Sequence, residues 1–320
     1  MTSPIAIGIH GGCGTLDPAL MSPAEWAEAR AHLADALRAG HAALAGGGTA
    51  VDAVEAAVVV MEDSPHFNAG YGAALNADAF HELDASIMDG ATLAAGAVSA
   101  VQRIRNPIRA ARAVMERSPS VLITGAAADA FAAREGLAVV DNSYFTTQRR
   151  VDALASLKRR AMDGTILKAS EAEKHGTVGA VALDRHGNLA AATSTGGFNN
   201  KPVGRVGDSP IIGAGTYARN GVCAVSGTGQ GEVFIRCAAA YDVAARMMYA
   251  RQSLREAADA VIHETLSPHE IGAGFICLDA AGVIVAPFNT LGMYRGWIGS
   301  DGQLVVATHK DLFNLGPVAP

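Results

Sequence analysis

Cysteine is scarce in this chain of 320 residues. The four present, Cys13, Cys223, Cys237 and Cys277, are scattered with no paired spacing. That pattern argues against a disulfide framework or a zinc site. Three of the four sit in apolar strand or helix contexts, where a buried thiol is expected. It fits a reducing, cytoplasmic setting. Charge is also sparse: 18% of residues are charged, for a net −6. No basic run or basic amphipathic helix points to nucleic acid or to a membrane surface. The longest apolar runs, such as residues 53–61, are too short to span a bilayer. Residues 1–10 lack a basic region followed by an apolar core and read directly as a strand, so no signal peptide is expected.

What remains is rich in small and apolar residues. Half the chain is hydrophobic, which suits a compact fold with an ample core. The 36 glycines fall in clusters, and these carry most of the information. Glu171–His175 is a polar, charged run that reads as a loop. Residues 178–183 are small or β-branched and read as a strand buried on both faces. Between them stand Gly176 and Thr177. Ordinary turn chemistry accounts for such a pair. A threonine there has a second use, because its hydroxyl can attack the carbonyl just before it. Cleavage between Gly176 and Thr177 would leave Thr177 with a hydroxyl nucleophile and a free α-amine as that hydroxyl's own general base.

The surrounding pattern predicts a strand over 5–10 running into a glycine turn, a capped helix from Ser22 to about 45, and a Thr49-capped helix over 50–63. Residues 82–89 and 93–101 read as a hairpin, with Glu82 and Asp84 as acids of a strand edge. Helices follow to about 118, over 126–136 and over 151–160, with a short strand at 121–124. The pattern dissolves over 162–175, as for a mobile linker. Residues 177–183 and 189–194 form a second hairpin, which sets Thr177 beside Thr195 across the ladder. Strands are expected at 211–218 and 222–226, a helix over 233–248, another over 253–265, strands at 273–278 and 283–288, and a last hairpin around Ser300–Gly302.

Two loops have chemistry of their own. Arg205 and Asp208 could pair with each other, or hold the carboxylate and the ammonium of an α-amino acid. Gly227-Thr228-Gly229-Gln230-Gly231-Glu232 opens a helix but lacks the lysine and spacing of a nucleotide loop. Its geometry suits an oxyanion hole made by the Thr228 hydroxyl and the Gly229 N–H. The Asn68 side-chain amide is a polar group that could reach the nucleophile. Pattern alone predicts only a mixture of α and β.

The runs Thr177-Val-Gly-Ala-Val-Ala-Leu-Asp184, Gly187-Asn-Leu-Ala-Ala-Ala-Thr-Ser-Thr-Gly-Gly197 and Gly204-Arg-Val-Gly-Asp-Ser-Pro210 resemble the isoaspartyl peptidase/plant-type L-asparaginase family of N-terminal-nucleophile hydrolases. The resemblance extends from His10-Gly-Gly to the C-terminal region. It implies an α+β fold, the four-layer αββα sandwich, in one domain over 1–320 that cleaves itself into 1–176 and 177–320. The two pieces would stay packed, and two such units would pair as a dimer of heterodimers. Thr177 would attack the side-chain carbonyl of L-asparagine or of a β-aspartyl dipeptide, and water would hydrolyse the resulting ester to release L-aspartate. Thr195, Thr228, Gly229 and Asn68 would serve the chemistry. Arg205, Asp208, Thr228, Gly229 and Gly231 would bind substrate. No organic cofactor is implied, but a structural sodium ion is, held by the backbone carbonyls of Met61, Glu62, Ser64, Phe67, Ala69 and Tyr71. Two readings compete. A glycosylasparaginase-like amidase typically processes at an Asp-Thr bond, where this chain has Gly176-Thr177. A non-catalytic amino-acid-binding protein would use Arg205 and Asp208 but remain a single chain.

Overall fold

The computed structural model describes residues 4–14, 16, 19, 21–162 and 176–318. The expected linker lies outside them except for Met162. Two sheets organise the fold. The larger comprises β1 (Ala6–Gly14), β2 (Leu83–Asp89), β3 (Ala95–Val101), β4 (Leu122–Thr124), β5 (Val178–Leu183), β6 (Leu189–Thr195), β11 (Gly292–Ile298), β12 (Gln303–Ala307) and β13 (Leu312–Pro317). Its order is β13-β12-β11-β1-β5-β6-β2-β3-β4. The smaller sheet, β10-β9-β8-β7, is built from β7 (Thr216–Arg219), β8 (Cys223–Gly229), β9 (Ala273–Asp279) and β10 (Ile284–Val285). Every pair in both sheets is antiparallel except β3 with β4.

The helices are α1 (Pro23–Ala45), α2 (Ala50–Glu62), α3 (Pro107–Arg117), α4 (Gly125–Arg134), α5 (Gln148–Met162), α6 (Gly231–Cys237), α7 (Ala239–Ala250) and α8 (Leu254–Ala260). Capping boxes start α1 at Ser22/Glu25 and α2 at Thr49/Asp52, so N–H groups that the helix cannot bond internally are satisfied by side chains. No helix among the described residues is long and apolar enough to cross a membrane. The four cysteines form no disulfide, and Cys13, Cys223 and Cys277 are buried as expected.

β5 and β6 lie at the centre of the molecule, and their alternation supplies both cores. Val178, Ala180 and Ala182 join Ile7, Leu37, Val54 and Val58 in one cluster, against α1 and α2. Val181, Leu183 and Ala191 join Val225, Ile276, Val243 and Ala257 in the other, with β8, β9, α7 and α8. A strand with two apolar neighbours must be apolar on both faces, which is why residues 178–183 carry no polar side chain.

Four expectations need correction. Glu82 and Asp84 are buried, not at an edge, because β2 runs between β6 and β3. Glu82 accepts from Asn76 Nδ2 at 3.0 Å and Gly204 N at 3.1 Å, while Asp84 accepts from Ala100 N at 2.8 Å through Oδ1 only, and burial pushes its carboxyl above the ordinary value. Residues 211–215 are turns, with strand only at Thr216–Arg219, since Gly213 N bonds Thr216 O at 2.8 Å. Gly227–Gly229 continues β8 instead of forming a loop, the helix opens at Gly231, two residues before the expected 233, and Ala238 in the left-handed region (φ 47°) divides it into α6 and α7. Residues 283–288 yield only the two-residue β10, with a single bridge from Gly274 to Phe288.

Candidate active site

Thr177 lies one residue before β5, and the ladder pairs Val178 with Ser194, so Thr195 falls opposite Thr177. The Thr177 hydroxyl donates to Thr195 Oγ1 at 3.1 Å. Thr195 also accepts from Gly197 N at 3.0 Å and donates to the Gly176 carbonyl at 3.2 Å. One donation and two acceptances use the whole capacity of a hydroxyl, which fixes its rotor. The Gly176 oxygen takes a second bond from Asn68 Nδ2 at 2.7 Å. Asn68 is itself pinned, donating to Gly197 O at 2.5 Å and accepting from Ala74 N at 2.6 Å. The carbonyl that precedes the threonine thus has two donors on its oxygen and a hydroxyl beside it. That is the arrangement an attack by Thr177 on its own chain requires.

Close backbone approach makes this geometry. β1 is bulged between His10 and Gly12 where it meets β11, and Gly12 has φ 106°. A Cβ on Gly12 would lie 2.9 Å from the Gly176 Cα and 3.1 Å from the Thr177 N. A Cβ on Gly176 would lie 2.9 Å from that of Asn68. Only glycine fits at either position. Beneath Thr177 runs a buried chain of polar groups between the sheets: His10 Nε2 to Ser226 Oγ at 2.9 Å, Ser226 to Thr193 Oγ1 at 2.6 Å, and Thr216 to Thr193 at 2.5 Å. Burial pushes the His10 imidazole down to about 3, the Thr177 backbone opposing part of that fall, so His10 is neutral at ordinary pH.

A narrow cleft of about 10 Å³ opens beside the threonine, lined by Gly176, Thr177, Thr195, Phe198, Arg205, Asp208 and Gly229 among others. Arg205 and Asp208 therefore face the same space, but they do not pair. Arg205 instead donates to both carboxylate oxygens of Glu232, Nε at 2.9 Å and Nη2 at 3.0 Å, and its guanidinium stands 4.7 Å from the Phe198 ring centroid. Asp208 is buried, and burial pushes its carboxyl up to about 7. Gly231 packs on both: a Cβ there would lie 2.8 Å from Arg205 Nη2 and 2.9 Å from Asp208 Oδ1. Thr228 is fully buried next to Gly229, with its Oγ1 accepting from Cys13 N at 3.4 Å.

The loop after α2 carries Asn68. Tyr71 N bonds Glu62 O at 2.7 Å and Ser64 N bonds Met61 O at 3.2 Å. Gly70 (φ 51°) and Gly72 (φ 99°) let the loop close on itself. A Cβ on Gly72 would meet the Pro65 and Phe67 carbonyl oxygens at 2.9 and 3.0 Å, and one on Gly70 would strike the Glu62 oxygen. Carbonyl oxygens thus crowd two side-chain-free positions of this loop, a cradle of the ligand type a hard cation takes, with those of Met61 and Glu62 already accepting backbone N–H groups.

A family model described as "Asparaginase" matches residues 3–307. The chain belongs to this family. It is similar to the isoaspartyl peptidase of Salmonella typhimurium, 48% identical over 91% of this chain and 94% of that protein, and to that of Escherichia coli, 48% identical over 91% and 92%. The human isoaspartyl peptidase/L-asparaginase is 47% identical over 73% of each chain. The fold brings together Asn68, Gly176, Thr177 and Thr195, and sets Arg205, Asp208 and Gly229 about one cleft, with Gly231 packed behind Arg205 and Asp208 and Thr228 buried beside Gly229. Sequence reasoning missed Glu232 as the partner of Arg205, since the two stand 27 residues apart in different segments. It also missed the inter-sheet polar chain under the nucleophile. The Thr193 hydroxyl, following a run of leucine and alanine over 189–192, was the available signal.

Proposed function

We propose that this protein is an autoprocessing threonine amidohydrolase that cleaves β-aspartyl dipeptides and L-asparagine to release L-aspartate. The observation that carries the reading is the Gly176–Thr177 junction. The Thr177 hydroxyl is hydrogen-bonded to Thr195, and the Gly176 carbonyl oxygen is bonded by Thr195 and Asn68. In processing, Thr177 Oγ1 bonds to the Gly176 carbonyl carbon. Its proton passes to Thr195, and the Thr195 proton passes toward the oxygen on which negative charge develops. The C–N bond then breaks, the freed nitrogen takes up the proton, and an ester joins Gly176 to the Thr177 hydroxyl. Water hydrolyses that ester and leaves residues 1–176 and 177–320 as two chains.

The Thr177 amine then acts as general base for its own hydroxyl. A substrate β-aspartyl group enters the cleft with its α-carboxylate toward Arg205 and its α-ammonium toward Asp208. Its side-chain carbonyl meets Thr177, with Thr228 and Gly229 donating to the oxyanion. The resulting acyl-enzyme ester is cleaved by water. Support comes from the shared cleft and from relatives named for isoaspartyl peptidase activity at 48% identity.

Three structural parts complete the proposal. The two sheets and their helices stack as an αββα sandwich; in support, the two faces of β5 and β6 belong to different cores. A sodium ion sits in the carbonyl cradle of residues 61–71 and steadies the loop that presents Asn68. Two cleaved units pair as a heterotetramer in the cytoplasm. The deciding experiment is the denatured intact mass of freshly purified protein, followed over days alongside a β-aspartyl dipeptide assay. Two fragments, the smaller starting at Thr177, with aspartate release are expected. A chain that persists at full length and hydrolyses nothing would refute the reading.

A further inference from the structure

A second cluster of ligating side chains lies outside the cleft. Glu28 and His32 are four residues apart on α1 and so project from the same face. His66, in the loop between α2 and Asn68, comes to meet them. One ligand atom from each, a Glu28 oxygen and an imidazole nitrogen from His32 and from His66, lies within 4.8 Å of the other two. The His32 and His66 rings have centroids 5.0 Å apart, tilted by 53°. His66 Nε2 and Glu28 Oε2 are 3.6 Å apart. In a tetrahedral zinc site the ligand atoms stand about 3.3–3.5 Å from one another. That pair is already near the required edge, and small rotations of the half-buried His32 ring and the exposed Glu28 side chain bring in the third. The buried His66 Nε2 atom has no partner nearer than that Glu28 oxygen at 3.6 Å, although buried ring nitrogens are ordinarily bonded more closely.

We propose that Glu28, His32 and His66 bind a divalent transition-metal ion of the zinc class. Two imidazoles and one carboxylate form a donor set that such ions favour over hard cations, which separates this site from the carbonyl cradle on the same loop. The cysteines, whose spacing argued against zinc, take no part in it. Arg149 is the nearby cation that a bound ion must tolerate. The ion would tie α1 to the segment leading into Asn68, two residues beyond His66. It is therefore structural in consequence, not a participant in hydrolysis.

The test is titration of the chelator-stripped cleaved protein with zinc chloride, by calorimetry and by competition with a chromophoric chelator. The wild type should bind one zinc per chain at this site. His66→Ala and His32→Gln should each weaken that binding at least about tenfold. Zinc should raise the melting temperature of the wild type and not that of His66→Ala. Cys237→Ser controls for Cys237 and His269, whose Sγ and Nε2 are 4.0 Å apart, and should leave the affinity unchanged. Glu28→Gln and His32→Gln alter the outer face of α1 and keep the test open if His66→Ala fails to fold. Equal zinc affinity in wild type and both histidine variants, or loss of binding only in Cys237→Ser, would overturn the proposal.

Discussion

Asp208→Asn tests the substrate site most sharply, because the charge it removes is buried. Burial pushes the Asp208 carboxyl up to about 7 from an ordinary 3.8. A backbone hydrogen bond and Arg205 hold it back, while Glu232 and Asp84 push it further. In the free enzyme the ionised form, which an α-ammonium needs, is about half populated at pH 7 and falls about tenfold for each pH unit below that. The Thr177 amine, ordinarily near 7.7–8.0, must also be neutral to act as base. Two ionisations therefore govern kcat/KM on the acid side, and its logarithm should fall with a slope approaching two below pH 6. In kcat only the amine should appear, because a bound ammonium keeps the carboxylate ionised. The asparagine variant lacks one of the two ionisations, so its slope should fall to one. Loss of a buried charge pair costs about 2–5 kcal/mol, or roughly 30- to several-thousand-fold in kcat/KM at pH 8, carried mainly by KM.

The same substitution should change stability with the opposite sign. A carboxyl raised in the folded state favours folding while protonated, fully so below the unfolded value of 3.8, and this contribution is lost as pH rises through about 7. Relief of the buried charge should make Asp208→Asn more stable than wild type at pH 8, by up to about 4 kcal/mol, and not at pH 4. Steady-state pH profiles and urea melts at the two pH values read both effects. An unchanged acid limb in the variant, or a loss confined to kcat, would refute the assignment of Asp208 to the substrate ammonium.

Other perturbations follow from the same geometry. Thr195→Val keeps the shape of β6 but removes the hydroxyl between Thr177 and the Gly176 oxygen; self-cleavage followed by mass should slow at least about tenfold, and an unchanged rate would remove Thr195 from the proton path. Glu232→Gln leaves one fewer charge to hold the Arg205 fork over the Phe198 ring. KM for a β-aspartyl dipeptide should rise by about threefold to tenfold with kcat little altered, since this is one partly exposed charge-assisted contact; a fall in kcat alone would contradict a purely positioning role. Gly179→Ala would drive a Cβ into Ser226 Oγ and His10 Nε2, costing about 1–3 kcal/mol or more, and an unshifted urea midpoint would show that the two sheets are less tightly packed there than this spacing requires.

What the sequence made legible follows from which forces are local. The helix starts at Ser22 and Thr49 were readable because a capping box is satisfied within four residues. The pairing of Thr177 with Thr195 was readable because a hairpin fixes its own register. Glu82 and Asp84 were misread because alternation in a strand reports which side is apolar, not how many strands lie beyond it. Their burial depends on Lys201, itself fully buried and donating Nζ to Glu82 O at 2.7 Å, 119 residues away. The Arg205–Glu232 pair was hidden for the same reason.

The glycines make the strongest case for tertiary cause. Gly176 read as a flexible turn before a strand. In the structure its lack of a side chain is what admits Asn68 from one side, while Gly12 yields room for the scissile segment from another. Neither requirement can be written as a local propensity, because each glycine answers to a segment more than 100 residues distant. This places the specificity of the junction in packing rather than in the dipeptide. Another Gly-Thr step differs in its setting: the Gly215 carbonyl oxygen also takes two bonds, from Gly227 N at 2.8 Å and Thr193 Oγ1 at 3.3 Å, but the Thr216 hydroxyl that follows it is bonded into the inter-sheet chain. The Gly176-Thr177 step keeps its two donors only while β1, the Asn68 loop and β6 hold their places. Self-cleavage, on this argument, is a property of the folded chain: a peptide spanning residues 171–184 should not cleave, and the intact protein should lose cleavage when urea unfolds it.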